Sequence, residues 1–445
     1  MRKVSLVINM IKRAAFYTLG CKVNQYETEA VIDIFIDNGY QIVDFSEKAD
    51  IFIVNSCTVT NEAARKTRQI ARRAKRNFPD SIVAIVGCYT QAFPDEVKDI
   101  EEIDFVMGSN NKAEILNEAE EMMSGKSITK DVKEYKKLKE YEELELKRLS
   151  NTTRANVKIE DGCNQFCSYC IIPYARGPVR SRKKEAVVTE IKRLSQQGVK
   201  EIILTGTHLG VYGSDKGNRQ ALTQLMKDLT ELEDLKRVRL SSIEGTEIDQ
   251  GIIDLIAEED MFCPHLHLPL QSGSNQILEA MNRPYTLEDF KETAADLRKK
   301  IPNLAITTDV IVGFPGETEA TFAETLKAVK EIAFSKVHVF PYSAREGTPA
   351  AEMKQLNGNL VKEYSKKLRL VNEALMLDYQ KEFLGVEKEV LIEEVRDHST
   401  DLLTGYTDNY LKVLVDGPDN LKNKLVKVKL EKSIDPYHLK GDIIK

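Results

Sequence analysis

No apolar run in the chain approaches the length of a membrane span, so no spanning helix is expected. The apolar stretch Val4–Met10 is too short and too poorly flanked for a secretion signal. There is no internal repeat, and no low-complexity tract beyond one Lys- and Glu-dense segment, which excludes repeat architectures. Basic residues are not in excess: 64 Lys and Arg face 70 Asp and Glu, a net charge of −6. The molecule as a whole therefore does not advertise nucleic-acid binding, and any such contact must come from a local patch. Cysteine is scarce, seven residues in 445. With no export signal and no obvious pairing, these thiols point to a reducing cytoplasm. What remains is ordinary for a globular chain, 42% hydrophobic and 30% charged, with room for two or three domains.

Three of the seven cysteines stand within eight residues, as Cys163, Cys167 and Cys170 in a CxxxCxxC pattern. A structural zinc site takes four ligands, and no close fourth Cys or His follows. A disulfide would leave an odd thiol. Three thiolates can instead hold three irons of a cubane cluster and leave the fourth open to a substrate or cofactor. The spacing, with Tyr169 directly before the third cysteine, resembles the signature of the radical S-adenosylmethionine (SAM) superfamily.

The N-terminal third has three short β-rich runs, Ala14–Thr18, Ile51–Asn55 and Ile82–Val86, each followed by a helix-compatible segment. They predict parallel strands of an α/β sheet. Cys21, Cys57 and Cys88 each follow one run, and loops at the carboxyl ends of such strands converge on one crevice. Buried small hydrophobes would explain one such cysteine but not three identical placements, so a second three-cysteine iron–sulfur site is expected. After Cys57 comes a basic helix carrying Arg65, Lys66, Arg68, Arg72, Arg73, Lys75 and Arg76, with Asn61 as a candidate cap. It suits either a solvated face or a phosphate-facing one.

Beyond the charged segment, six strand candidates alternate with helices: Ala155–Ile159, Glu201–Leu204, Val238–Ser241, His265–Leu268, Ala305–Val312 and Lys336–Phe340. Repeated strand–helix units imply parallel strands with right-handed crossovers, and six units fall short of a closed barrel. The cysteine loop follows the first strand, at the end where active sites of such folds gather. Glu244 and Asp309, at the ends of later strands, are candidates for the amino or ribose groups of SAM, with helix caps as the plain alternative. His265 and His267 share one face of a strand and suit packing or pocket lining. Cys263 reads as a buried small residue. Arg176, Arg180, Arg182, Lys183 and Lys184 form a basic stretch that suits substrate phosphates. After about Met376, alternating runs separated by turns predict a small all-β barrel. Its Lys422, Lys424, Lys427, Lys429 and Lys432 suit solvated edges or RNA contact.

The segments Tyr17–Glu27, Asn55–Thr60, Val86–Tyr89 and Cys163–Arg182 together resemble the radical-SAM methylthiotransferases, over nearly the whole chain from about Ala14. The wording around Gly20–Asn24 and Cys170–Gly177 is most similar to the branch acting on threonylcarbamoyladenosine. The resemblance implies an N-terminal α/β parallel-sheet domain with an auxiliary cluster (12–125), a charged linker (126–149), a central open (β/α)6 radical-SAM partial barrel (150–375) and a C-terminal all-β TRAM barrel that recognises substrate (376–445). It implies two [4Fe–4S] clusters, on Cys163, Cys167 and Cys170 and on Cys21, Cys57 and Cys88, and two SAM per turnover. Tyr169, Thr205, Gly206, Glu244, Gln271, Arg283 and Asp309 are the implied SAM contacts. The implied partners are the tRNA anticodon stem-loop and an electron donor such as flavodoxin or ferredoxin, and the implied reaction is methylthiolation at carbon 2 of the modified adenine. Isopentenyladenosine in tRNA, a ribosomal-protein aspartate, and a non-catalytic iron–sulfur RNA-binding sensor are the alternatives. Two departures stand out: Met1–Asn9 suggests that Met10 is the true start, and Pro178 replaces a residue that is often basic in the family.

Overall fold

In the computed structural model, residues 11–126, 132–148 and 153–444 are described. The proposed upstream start lies outside them. The chain divides into two units, Met1–Arg148 with Tyr174–Gly177, and Leu149–Pro173 with Pro178–Lys445.

The first unit is built on a parallel sheet of β1 (Arg13–Thr18), β2 (Gln41–Val43), β3 (Ile51–Ser56), β4 (Ile82–Gly87) and β5 (Phe105–Met107), in the order β2-β1-β3-β4-β5. Every residue of β3 is buried, which is why it reads as a continuous apolar run rather than an alternation. The two outer strands, β2 and β5, have three residues each and carry too little pattern to be seen in the sequence. Helix α1 (Lys22–Asp37) returns the chain from β1, and α2 (Asn61–Asn77) from β3. The cap of α2 is Thr60 and not Asn61: Thr60 has extended backbone and its hydroxyl accepts the Ala63 N–H, whereas Asn61 is already helical. One face of α2 buries Ala64, Thr67, Ile70, Ala71 and Ala74 against the sheet. Its cations meet acids from elsewhere in the unit, Arg68 with Glu96, Arg72 with Glu102 and Lys75 with Asp104. Several charges that suggested a phosphate-facing helix thus have partners that sequence proximity hides.

Residues 132–148, expected as linker, belong to the first unit. Leu138, Leu144 and Leu146 are buried, and the Tyr26 hydroxyl donates to the Leu144 carbonyl. The strap ends on Asp33, whose carboxylate accepts Lys147 N–H at 2.6 Å, Arg148 N–H at 3.1 Å and the Arg148 guanidinium at 3.1 Å. Asp33→Ala leaves two backbone donors without this acceptor, a cost of about 1–3 kcal/mol. Limited trypsin digestion is expected to cut at Lys147 and Arg148 faster in this variant, and an unchanged digestion rate would show that the strap is held elsewhere.

The second unit begins with β6 (Arg154–Lys158). The two-residue strands β7 (Glu160–Asp161) and β8 (Arg180–Ser181) then pair antiparallel and bracket the cysteine loop. Four more strands follow: β9 (Glu201–Thr205), β10 (Arg237–Leu240), β11 (His265–His267) and β12 (Ala305–Val312), with β13 (Lys336–Pro341) closing the series. Strands β6-β9-β10 form one parallel group and β11-β12-β13 another. Single bridges at Val238–Phe262 and Ser242–His267 join them into an open six-stranded arrangement. After the helix Gly358–Lys381, a closed barrel is formed by β14 (Glu387–Arg396), β15 (Leu403–Thr407), β16 (Lys412–Val415), β17 (Leu425–Asp435) and β18 (His438–Ile443), in the order β14-β15-β16-β18-β17. Its interior holds Val390, Ile392, Leu403, Val413, Val428, Leu430 and Leu439. Two guanidiniums of β10 reach the barrel. Arg237 donates to the carbonyls of Glu389 and Tyr406, and Arg239 to those of Thr407 and Asp408. No helix among the described residues is long and apolar enough to cross a membrane.

Candidate active site and metal centres

Cys163, Cys167 and Cys170 lie in the loop between β7 and β8, past the carboxyl end of β6. Tight turns hold the loop: Cys170 N–H donates to the Cys167 carbonyl at 3.0 Å, and Gln165 N–H points at the Cys163 sulfur at 3.4 Å. Cys167 stands close enough to Cys163 to feel its charge, and Cys170 close enough to both. Burial pushes Cys170 up to about 12, with Cys167 and Cys163 adding to the rise against the Ile172 N–H. Metal loading therefore has to release protons from this loop.

Cys21, Cys57 and Cys88 occupy equivalent places in the first unit. Cys21 caps α1 after β1, Cys57 follows β3, and Cys88 opens a short helix, α3 (Cys88–Ala92), after β4. Because β1, β3 and β4 are neighbours in the sheet, the three thiols meet at one edge. Gly20 makes this approach possible: at φ +105° it adopts a conformation that side chains disfavour, and a Cβ there would lie 2.9 Å from the Cys57 Cβ. Burial pushes Cys88 up to about 12, with the Arg176 guanidinium opposing the rise.

Among the described residues no three His, Cys, Asp or Glu side chains converge as ligands of a single ion. The thiolates of a cubane each take a different iron, so they stand further apart than the ligands of one ion. Three soft donors in a set suit three irons of a cluster, whereas a structural zinc takes four ligands.

Comparison with known proteins agrees. The radical SAM superfamily matches residues 157–329, and an uncharacterized protein family, UPF0004, matches 13–108. The threonylcarbamoyladenosine tRNA methylthiotransferase MtaB of Bacillus subtilis is 42% identical over 95% of both chains. That of Aquifex aeolicus is 39% identical over 94% of this chain and 99% of its own. The chain belongs to the radical-SAM methylthiotransferases. A tRNA-2-methylthio-N(6)-dimethylallyladenosine synthase of Moorella thermoacetica is more distant, at 35% over 96% of this chain and 97% of its own. In fold, the chain is similar to the radical SAM methyltransferase TsrM of Kitasatospora setae, at TM-score 0.59, 15% identity and 77% coverage of each chain. As a radical-SAM methylthiotransferase, the protein is a transferase that uses an iron–sulfur cluster and SAM.

The residues expected to contact SAM fall into four groups in this methylthiotransferase. Arg283 and Glu244 form a nearly buried pair at 2.5 Å, and Arg283 also donates to the Cys167 sulfur at 3.3 Å and the Tyr285 hydroxyl at 3.1 Å. Gln271 and Asp309 are joined through the backbone, Gln271 N–H to the Asp309 carbonyl at 2.8 Å. Gln271 sits at φ +63°, a strained value for a non-glycine residue of the kind that gathers at functional sites. Asp309 also pairs with His267 at 3.2 Å, and His265 and His267 share the Thr307 hydroxyl. Tyr169 packs beside Ile277, Met281, Phe314 and Ala350. Thr205 is buried at the end of β9 with its carbonyl accepting Ile159 N–H, and Gly206 lies against Glu160. Cys263 is buried, as expected.

The three arginines of the basic stretch are a correction. Arg176, Arg180 and Arg182 are at most 2% exposed, paired with Glu27, Asp161 and Glu190. These three are structural cations, closed to substrate phosphates, whereas Lys183 is exposed and Lys184 pairs with Asp228 at the surface.

Sequence reasoning also passed over His208. Its Nδ1 lies 3.4 Å from the Cys163 sulfur and its Nε2 2.6 Å from Glu247, while its N–H donates to buried Glu160 at 2.7 Å. Burial opposes its charge, but Cys163 and Glu247 outweigh that and push it up to about 11. Gly210 clears the way, since a Cβ there would lie 2.1 Å from the Glu247 carboxylate. The one sequence signal was a lone histidine in a glycine loop at a strand end.

Glu317, in the loop after β12, is buried with Gly313 N–H on its carboxylate, and burial raises it from 4.5 to about 7. The folded protein thus keeps this proton over a range where the unfolded chain releases it. Stability falls as pH rises through that window, by roughly 3 kcal/mol at most at 1.36 kcal/mol per unit. Glu317→Gln is expected to flatten urea-unfolding stability between pH 4.5 and 7 and to leave the variant more stable at pH 8. Parallel pH curves for the two proteins would refute this.

Proposed function

We propose that this enzyme converts N6-threonylcarbamoyladenosine at position 37 of tRNA, in the anticodon stem-loop, to its 2-methylthio derivative. The carrying observation is the pair of separate cysteine triads, one in each unit, each suited to a cluster. In this reading Cys163, Cys167 and Cys170 hold the SAM cluster, Cys21, Cys57 and Cys88 hold an auxiliary one, and two SAM are used per turnover. When bound, these clusters supply one-electron cleavage of SAM and the sulfur that becomes the methylthio group. The chain's own part is to aim and shield. Arg283 holds the Cys167 side of the loop and ties up Glu244, His208 approaches Cys163, and Tyr169 packs the loop onto an apolar wall. Gln271 and Asp309 remain at the strand ends as SAM ligands.

The choice of substrate is supported by the names of the two relatives at 42% and 39%, against 35% for the dimethylallyladenosine enzyme. The electron donor is a flavodoxin- or ferredoxin-type protein, and the setting is the cytoplasm. Nucleoside mass spectrometry of tRNA from cells with and without the gene tests the reading. Loss of 2-methylthio-threonylcarbamoyladenosine, with its precursor rising, is expected. An unchanged tRNA profile would refute it and move the search to ribosomal-protein peptides.

A further inference from the structure

Arg176 is the residue whose surroundings this function does not use. Its side chain belongs to the first unit, although its segment, Tyr174–Gly177, is flanked on both sides by residues of the second. It is 2% exposed, and its Nε donates to the Cys88 sulfur at 3.1 Å. Its two terminal nitrogens are taken by the Glu27 carboxylate and by the Asn24 side-chain oxygen. Those partners are themselves fixed. Glu27 is also held by buried Lys112 at 3.0 Å. Asn24 donates to the Leu19 carbonyl at 2.7 Å and the Ser56 carbonyl at 3.0 Å, so the amide's oxygen is turned toward Arg176. Leu19 lies two residues before Cys21, and Ser56, the last residue of β3, directly precedes Cys57. One planar cation is thus oriented by groups tied to the other two cysteines and aimed at the third.

We infer that Arg176 is a positioning residue that sets the reduction potential of the centre held by Cys21, Cys57 and Cys88, through its N–H bond to the Cys88 sulfur. The inference rests on the auxiliary-cluster reading above. A hydrogen bond and a buried positive charge at a ligand sulfur draw electron density from the cluster and favour its reduced state. The guanidinium does not titrate in the working range, so the effect is constant with pH. A flexible ammonium cannot serve the sulfur, the carboxylate and the amide with the same planar fork.

The test uses full-length protein carrying Cys163→Ala, Cys167→Ala and Cys170→Ala, which leaves the auxiliary triad alone. Iron and sulfide are quantified, and the cluster is titrated by EPR at controlled potential. With Arg176→Gln added, the reduced-to-oxidised ratio at a fixed potential is expected to fall tenfold, a shift of about 59 mV for one electron. Arg176→Lys is expected to shift the same way by less. A cluster that loads in Arg176→Gln with an unchanged potential overturns the inference, because a purely structural arginine would behave so. If Arg176→Gln does not load, Arg176→Lys decides: a lowered potential supports the inference and an unchanged one overturns it. If the triple variant with native Arg176 takes up no iron, the auxiliary-cluster reading itself falls, and the inference with it.

Discussion

Cys21→Ala is expected to make no methylthio product yet to go on cleaving SAM, whereas Cys163→Ala is expected to lose both activities. The two triads lie in different units, so removing a thiol from one leaves the other's donors in place. Cys163 is one of the three thiols in the loop between β7 and β8. Loss of an outer-shell partner of a metal site costs ~10–100-fold, and loss of a ligand itself is expected to cost more than ~100-fold. The measurement is anaerobic incubation with a chemical reductant, following 5′-deoxyadenosine and methionine beside the modified nucleoside. Cys57→Ala and Cys88→Ala are expected to follow Cys21→Ala, and Cys167→Ala and Cys170→Ala to follow Cys163→Ala. Full product from Cys21→Ala would sink the sulfur-bearing role of that triad.

Arg283→Leu is the second large effect. The guanidinium is 3% exposed in its side chain, and Glu244 11%. Removing one member of a buried pair strands the other, at roughly 3–5 kcal/mol. It also takes a donor from the Cys167 sulfur, so cluster loading is expected to fall with stability. Urea unfolding of the metal-free protein measures the first effect and iron content the second. The double variant Arg283→Leu, Glu244→Gln is expected to be less destabilised than the single one, since no charge is then stranded. A single-variant cost below about 1 kcal/mol would mean that solvent already screens the pair.

The fold was legible where an apolar run or an alternation extended over four residues or more. The central strands of the first unit and all six of the second were placed within a residue or two, and the β-barrel showed by its alternation. What stayed hidden was short or non-local. Strands β2 and β5 have three residues each, less than two repeats of the alternation. The strap at 132–148 reads as linker because its three buried leucines are spaced among charges that face solvent. In the site, Cys163, Cys167 and Cys170 stood out by their spacing and Cys21, Cys57 and Cys88 by their places after three strands, and the structure brings each set together. Arg176, Arg180 and Arg182 misled for the opposite reason. A run of cations looks the same whether its counter-charges are phosphates or carboxylates, and Glu27 lies 149 residues from Arg176 in sequence.

The four carbonyls that receive Arg237 and Arg239 have a consequence for protein engineering. Backbone oxygens look alike whatever side chain they accompany, so the barrel can change its surface residues freely without losing these bonds. A chimera that carries another protein's barrel would work only if its chain path delivers carbonyls to the same four places. Otherwise two guanidiniums are left desolvated, and the hybrid should misassemble even when both halves are individually sound.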